Sequence, residues 1–415
     1  MKAPGSTRGS QLLLLAVALS AANYARTALG PLQERVRLAL ALSDNQIALL
    51  QGPAMALPLV IAALPLGLLI DRSSRARLIF IFAFLSLLGS VATALASNFA
   101  MLFAARCLVG LAASATSVAV LSLLSDLYAP AQRGRATMAV AVGEVAGASA
   151  AFALGGALLA LFVTTLNGWQ SAMFWLSVPL ALVMFLMVAM REPPRRGVAI
   201  QRPSARQACV ELWRYRAVVT PLVTAKIMAV TAYGAVVIWT APTLSRNFGL
   251  SPDRIGAIMA TSLLVSGILG PIAGGIVADL CQRSGGPRRT MIALCILAVL
   301  SVPTGCFPLM PGVLSMSALL ILFMTIINMI GVTEMTLTTV VIPNELRGLS
   351  LSVLVATGLV FGVGLAPLTV SLLSGVIGGP AMIGTALALI CVLAGIVGAA
   401  IFAFGRRYIP SIAVP

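Results

Sequence analysis

Apolar runs of bilayer length, parted by short polar turns, cover almost the whole chain. A helix crossing about 30 Å of hydrocarbon takes about 20 apolar residues. Twelve such segments can be drawn: residues 11–30, 46–70, 78–96, 100–125, 136–163, 171–190, 218–242, 255–279, 290–309, 315–342, 349–376 and 380–404. The runs are too long for barrel strands and lack a period of two, so helices are the expected spanning form. The third and fourth segments, and the eleventh and twelfth, are divided only by nearly uncharged turns.

The stretch Leu59–Leu78 organises the rest. Its apolar run ends in Gly67-Leu-Leu-Ile-Asp71-Arg72, followed by Arg75 and Arg77 and at once by another apolar run. A charged hairpin squeezed between two spans is implied. The pattern returns at Gly274-Gly275-Ile-Val-Ala-Asp279, with Arg283, Arg288 and Arg289 behind it, 208 residues later (279 minus 71). Basic turns occur in any polytopic protein, but the small-x-x-x-Asp pattern in the middle of each half points to duplication. The prediction is an all-α protein of two pseudo-symmetric six-helix bundles, residues 1–190 and 218–415, joined by a basic linker at 191–217.

Composition agrees: the 415 residues are 60% hydrophobic and only 9% charged, with a mean hydropathy of +1.05. A soluble domain of this size needs far more polar surface. The net charge of +16 raises the question of nucleic acid, but the basic residues fall mostly in short loops on one side of the spans, and no nucleic-acid partner is expected. Histidine is absent, and the six cysteines show no CxxC spacing, so no metal or cofactor is expected. The first segment imitates a signal peptide, yet it runs on through Asn23 and Arg26 without a convincing cleavage site; an uncleaved first helix is expected.

Charge placement predicts orientation. With the N-terminus inside, 20 Lys and Arg lie on the cytoplasmic side against four, Arg35, Arg37, Arg246 and Arg254, on the other. Both termini are therefore expected in the cytoplasm of a multi-pass cell-membrane protein, with a bacterial inner membrane the expected home. The linker's seven arginines suit anionic headgroups. Glycines at 143, 147, 155 and 156 with Ala151 in the fifth segment, and Gly358, Gly362 and Gly364 with Pro367 in the eleventh, predict slim seams where helices approach closely.

Five charges fall inside the spans: Arg26, Arg106, Glu144, Lys226 and Glu334. Each is costly in lipid, so an interior or a water-filled cavity is their default location. By helix rise, Arg26 and Arg106 fall in the outer half of the bilayer, and Glu144, Lys226 and Glu334 in the inner half. Lys226 and Glu334, on the seventh and tenth segments, are expected to pair. Arg26 and Arg106 leave the first half basic, which favours a substrate with an acidic head; Tyr24, Phe103, Tyr233 and Trp239 are candidates for the apolar lining. The competing reading of these charges is structural pairing between helices. At the cytoplasmic edge, Asp71, Arg72, Arg75, Asp126, Arg133 and Arg135 suit a charge latch, with Asp279, Glu345 and Arg347 as its counterpart; a static clamp is the alternative.

With these residues in view the chain resembles the major facilitator superfamily. The resemblance rests on Gly67-LLIDRSSRAR with its echo GGIVAD, on RCLVG at 106–110, on the glycine ladder of the fifth segment and on PNELRG at 343–348. Within it, NYARTALGPL, GWQSAMFW and YGAVVIWTAPTLSRNFGLS are similar to the spinster-like branch of lysophospholipid and sphingolipid carriers. Two departures stand out. Ala25 precedes Arg26 where such proteins carry an acid, and Leu111-Ala112-Ala113 follows RCLVG where they carry a glutamate. Proton coupling through those positions is not implied, and Glu144 or Glu334 becomes the substitute candidate. The resemblance implies a carrier, not an enzyme, whose halves rock about an organic anion or an anionic or zwitterionic amphiphile such as a lysophospholipid. The partners implied are that lipid-like substrate and the phospholipid bilayer, and a monomer is expected. The alternative is an exporter of drugs or small hydrophobic compounds.

Overall fold

Helices and the turns between them make up the described residues, with no strand among them. The structure, a computed structural model, describes residues 4–128, 130–162, 168–193 and 211–408. Most of the basic linker, residues 194–210 with Cys209, lies outside them, as do the side chains of Asp71 and Glu345. Eleven helical runs among the described residues are long and apolar enough to cross a membrane. One of them, Pro252–Leu309, holds two spans. At Gly286 the backbone turns to φ 65° and ψ −157°, a conformation open essentially to glycine, and the eighth and ninth spans part there. The total is twelve. The loop expected between those two spans shrinks to that one break.

The first (Pro4–Thr27), third (Arg75–Ala94), fourth (Phe99–Leu127), fifth (Pro130–Leu161), seventh (Arg216–Phe248), tenth (Val313–Val341) and twelfth (Ile383–Gly405) spans are single helices. The second breaks at Gly52 into Asp44–Gln51 and Pro53–Arg72. Its start is fixed by a capping box between Ser43 and Gln46. The sixth divides into Gly168–Leu176 and Val178–Leu186 ahead of Pro179. In the eleventh, Asn344–Thr357 and Ala366–Ile377 are joined by a π-helical stretch, Gly358–Leu365. Pro367 offers no N–H to the preceding turn, and a widened turn is a common way round such a gap.

The chain forms two compact units: Met1–Val198 with Leu244–Leu264, and Ala199–Thr243 with Val265–Pro415. The segment Leu244–Leu264 is counted with the first unit although it follows the linker. Each unit repeats one plan. In the first, Ala18, Ile79, Thr116 and Leu180 line a small cavity among spans one, three, four and six. In the second, Ala225, Ala298, Ile327 and Gly395 line its counterpart among spans seven, nine, ten and twelve. The seams repeat too. Gly143 and Gly147 let the fifth span lie on the backbone of Ala16 and Ser20, and Gly234 lets the seventh lie on the backbone of Gly362 in the eleventh. Without a water-driven force between helices in lipid, such close approach is what holds spans together.

Candidate functional site

The first span ends at Thr27, and the last carbonyls of any helix lack partners within it. Arg106, wholly buried on the fourth span, supplies them. Its Nη2 donates to the Arg26 carbonyl at 2.6 Å and its Nη1 to the Ala25 carbonyl at 3.4 Å. Nη2 also reaches Gln51 Oε1 at 3.4 Å, and Gln51 donates in turn to Gln33 at 2.8 Å. The Arg26 side chain takes a different course. It donates to Ser114 Oγ at 3.0 Å, and its buried Nε has no partner. Among the described residues no ion pair joins Arg26 or Arg106 to a carboxylate. Glu144 is the acid whose field reaches Arg26, and its carbonyl accepts from Asn23 at 2.8 Å. Tyr24 is buried with its hydroxyl unpartnered.

Helix rise had set Arg26 and Glu144 on different levels. The structure sets Glu144 level with Asn23, about a turn before Arg26, since the Asn23 side chain donates to the Glu144 carbonyl.

In the second unit Lys226 and Glu334 meet at 4.0 Å. Glu334 is 1% exposed at its side chain and Lys226 21%, and neither carboxylate oxygen has a hydrogen bond. Gly331, a turn before Glu334, faces the ammonium: a Cβ there would stand 3.8 Å from Lys226 Nζ, an ordinary contact. Trp239 does not line an opening. It is fully buried, and its indole N–H donates to the Pro367 carbonyl at 2.9 Å, as a buried indole must find an acceptor. Tyr233 is half-buried.

Of the expected latch, Arg75 and Asp126 are brought together, at 2.5 Å. A residue that sequence reasoning missed, Glu192, completes the cluster at 2.8 Å from Arg75 Nε. Glu192 also accepts from the Ala76 amide at 2.8 Å and from Ser74 Oγ at 3.1 Å, closing the start of the third span. Partial burial works against its charge, but these donors prevail and hold its carboxyl below the ordinary value. Arg133 turns instead to the carbonyls of Ser125 and Tyr128 at the end of the fourth span. Arg72 and Asp279 are exposed and enter no ion pair found among the described residues. The Asp71 side chain lies outside those residues.

A further cluster escaped the sequence reading. Arg246 is held by Glu34 at 2.8 Å and Asp44 at 2.7 Å, and Arg37 by Glu34 at 2.7 Å. The signal was present, since charge placement had set Arg37 and Arg246 on one face. Among the described residues no three Cys, Asp or Glu side chains gather as metal ligands would.

A sequence profile of the Major Facilitator Superfamily matches residues 15–241, more than half of the chain. The chain belongs to that superfamily. Its spans make it a multi-pass membrane protein. Two solved structures share its fold, both of a bacterial homologue of the human lysosomal transporter Spinster in inward-facing form. The unoccupied one has a TM-score of 0.77 at 18% identity and the occupied one 0.78 at 19%, each over 97% of this chain and 96% of the other. Similar stretches also occur in two triacylglyceride transporters. That of Mycolicibacterium hassiacum is 40% identical over 137 residues, 32% of this chain and 24% of the relative. That of Mycolicibacterium smegmatis is 37% identical over 139 residues, 33% and 24%. The matches span about a quarter of the length of these relatives.

Proposed function

We propose that this protein carries an amphiphilic lipid with an anionic or zwitterionic head across the membrane by alternating access, with both termini in the cytoplasm and the bacterial inner membrane as its home. The observation that carries the reading is Arg26. It is a guanidinium within a span, bonded to one serine, with a buried Nε that nothing satisfies. A cation left in that condition is costly unless a ligand answers it, and intramembrane charges mark substrate paths. A phosphate or carboxylate supplies the missing acceptors in bidentate form. Arg106, spent on backbone carbonyls, holds the end of the first span so that Arg26 is presented.

The lipid half of the reading draws on the names of the relatives. They also favour a second reading, in which the cargo is a neutral glyceride and Arg26 serves the fold. Proteoliposome flux separates the two. Oleoyl lysophosphatidate should move and trioleoylglycerol should not, and Arg26→Ala should abolish the movement while folded protein remains in the membrane. Equal flux of the glyceride in both proteins would leave the second reading.

A further inference from the structure

Glu334 stands apart from the chemistry described so far. Its carboxylate is buried inside the tenth span, accepts no hydrogen bond at either oxygen, and touches one cation at the outer limit of an ion pair. A buried carboxylate normally collects several donors, because each lone pair left bare costs free energy. Nothing about this site prevents better partnering by accident of crowding. Lys226 is partly exposed, at 21% of its side chain, so it has somewhere else to go. The backbone is fixed: Thr333 donates to the Gly274 carbonyl at 3.1 Å and Thr338 to the carbonyl of Glu334 itself at 2.9 Å. A fully buried carboxylate faces a partly exposed counter-ion.

The surroundings isolate the pair. The seventh span contributes Lys226, the one charged group whose field acts on Glu334 among the described residues. Tyr233 lies two turns further along that span. The eighth span meets this region at Gly274 and carries its acid, Asp279, more than a turn beyond and exposed. The ninth span carries Arg288 and Arg289 at its start and the thiol Cys295 further in, the twelfth carries Cys391 and ends just before Arg406 and Arg407, and the eleventh offers Arg347 near its start, thirteen residues past Glu334 (347 minus 334).

We propose that Glu334 is a proton-binding site controlled by Lys226, and that an anionic headgroup works it by competing for the lysine. Lys226 against it favours the ionised carboxylate, and the pair is then neutral. When the ammonium turns to a phosphate or carboxylate of the substrate, Glu334 is left alone and takes one proton from water. Lysine keeps its own proton, so one substrate charge and one proton are bound together. The substrate part of this proposal rests on the carrier reading above; the proton site does not.

Infrared spectroscopy of the purified protein in lipid nanodiscs tests the site without any substrate. Acidification should raise the C=O band of a protonated buried carboxyl, which Glu334→Gln removes and Glu144→Gln retains. Lys226→Met, which leaves Glu334 in place and deletes the opposing charge, should keep that band to a pH about 1–3 units higher. A band that survives Glu334→Gln, or one whose pH range ignores Lys226→Met, overturns the proposal. A band that behaves as expected in a protein that moves no lysophosphatidate supports the proton site and removes the carrier reading alone.

Discussion

Arg106 and Arg26 share one hydrogen bond, from Nη2 of the former to the main-chain oxygen of the latter at 2.6 Å, so two cations on neighbouring spans meet side chain to backbone with no carboxylate joining them. The bond divides their work. Arg106→Ala strands the carbonyls of Ala25 and Arg26 and leaves Gln51 short of a donor. Each buried acceptor left bare costs about 1–3 kcal/mol. The purified variant should therefore melt several degrees below the parent. Arg26→Ala gives up a single bond to Ser114 and relieves a buried unpartnered Nε, so its melting temperature should stay close to the parent's. Identical melting of Arg106→Ala and the parent would contradict the capping role.

Arg246 offers a sharper stability test. It holds Asp44 and Glu34, whose side chains are 8% and 17% exposed. Removing one partner of a buried pair costs about 3–5 kcal/mol, because the other charge stays buried. Arg37 still reaches Glu34 at 2.7 Å and Asp44 at 3.8 Å, and some solvent enters, so Arg246→Ala should fall at the low end of that range. Adding Asp44→Asn should recover part of the loss, and a double-mutant cycle by thermal unfolding measures the coupling. Strict additivity of the two changes would show that the pair is not coupled.

What the chain disclosed of this architecture, and what it withheld, follows from the range of the interactions. Spans are local: a run of apolar residues must become a helix in lipid, so all twelve were legible, including the two divisions with uncharged turns. The pairing of Lys226 with Glu334 was legible because two opposite charges inside spans have few places to go. Glu192 on Arg75 and Arg246 on Glu34 were not, for they join positions 117 and 212 residues apart at the ends of spans, where no periodic pattern links the partners. The reach of Glu144 toward Arg26 was hidden because it joins the first and fifth spans, 118 residues apart (144 minus 26), with no local pattern to link them. The break at Gly286 and the π-helical stretch ahead of Pro367 are backbone choices that hydropathy does not record.

The Glu192 carboxyl gives a pH dependence with a definite sign. Its donors hold it below the ordinary value of 4.5 in the folded chain. A depressed folded pKa means the stabilisation is complete above the unfolded value and is lost as the pH falls through the folded one. Glu192→Gln should thus be less stable than the parent at neutral pH. The gap should sit at the lower end of roughly 1.5–3 kcal/mol, the worth of hydrogen bonds to a charged group, since the side chain is 29% exposed. Melting curves from pH 7 down past 4.5 should bring the two proteins together. A gap that widens on acidification would reverse the sign and refute the assignment.

Two glycines that look alike in sequence should respond in opposite ways to alanine. Gly147 sits in the fifth span with the Ser20 backbone where a Cβ would go, and neither main chain is free to give way. Gly67, in the hairpin pattern at the end of the second span, has nothing within 4 Å of that position. In a helix, alanine is favoured over glycine by about 1 kcal/mol, so open space turns the substitution into a gain. Gly67→Ala should leave expression and melting temperature unchanged or slightly raised. Gly147→Ala must push the first and fifth spans apart, forfeiting the contacts that small residues permit along the whole seam. Its melting temperature should drop, and Gly143→Ala, one turn away against Ala16, should add to the drop less than additively because the first change has already opened the seam. Size-exclusion profiles and melting curves of the three variants decide it; a harmless Gly147→Ala would mean that the seam is not what binds these spans.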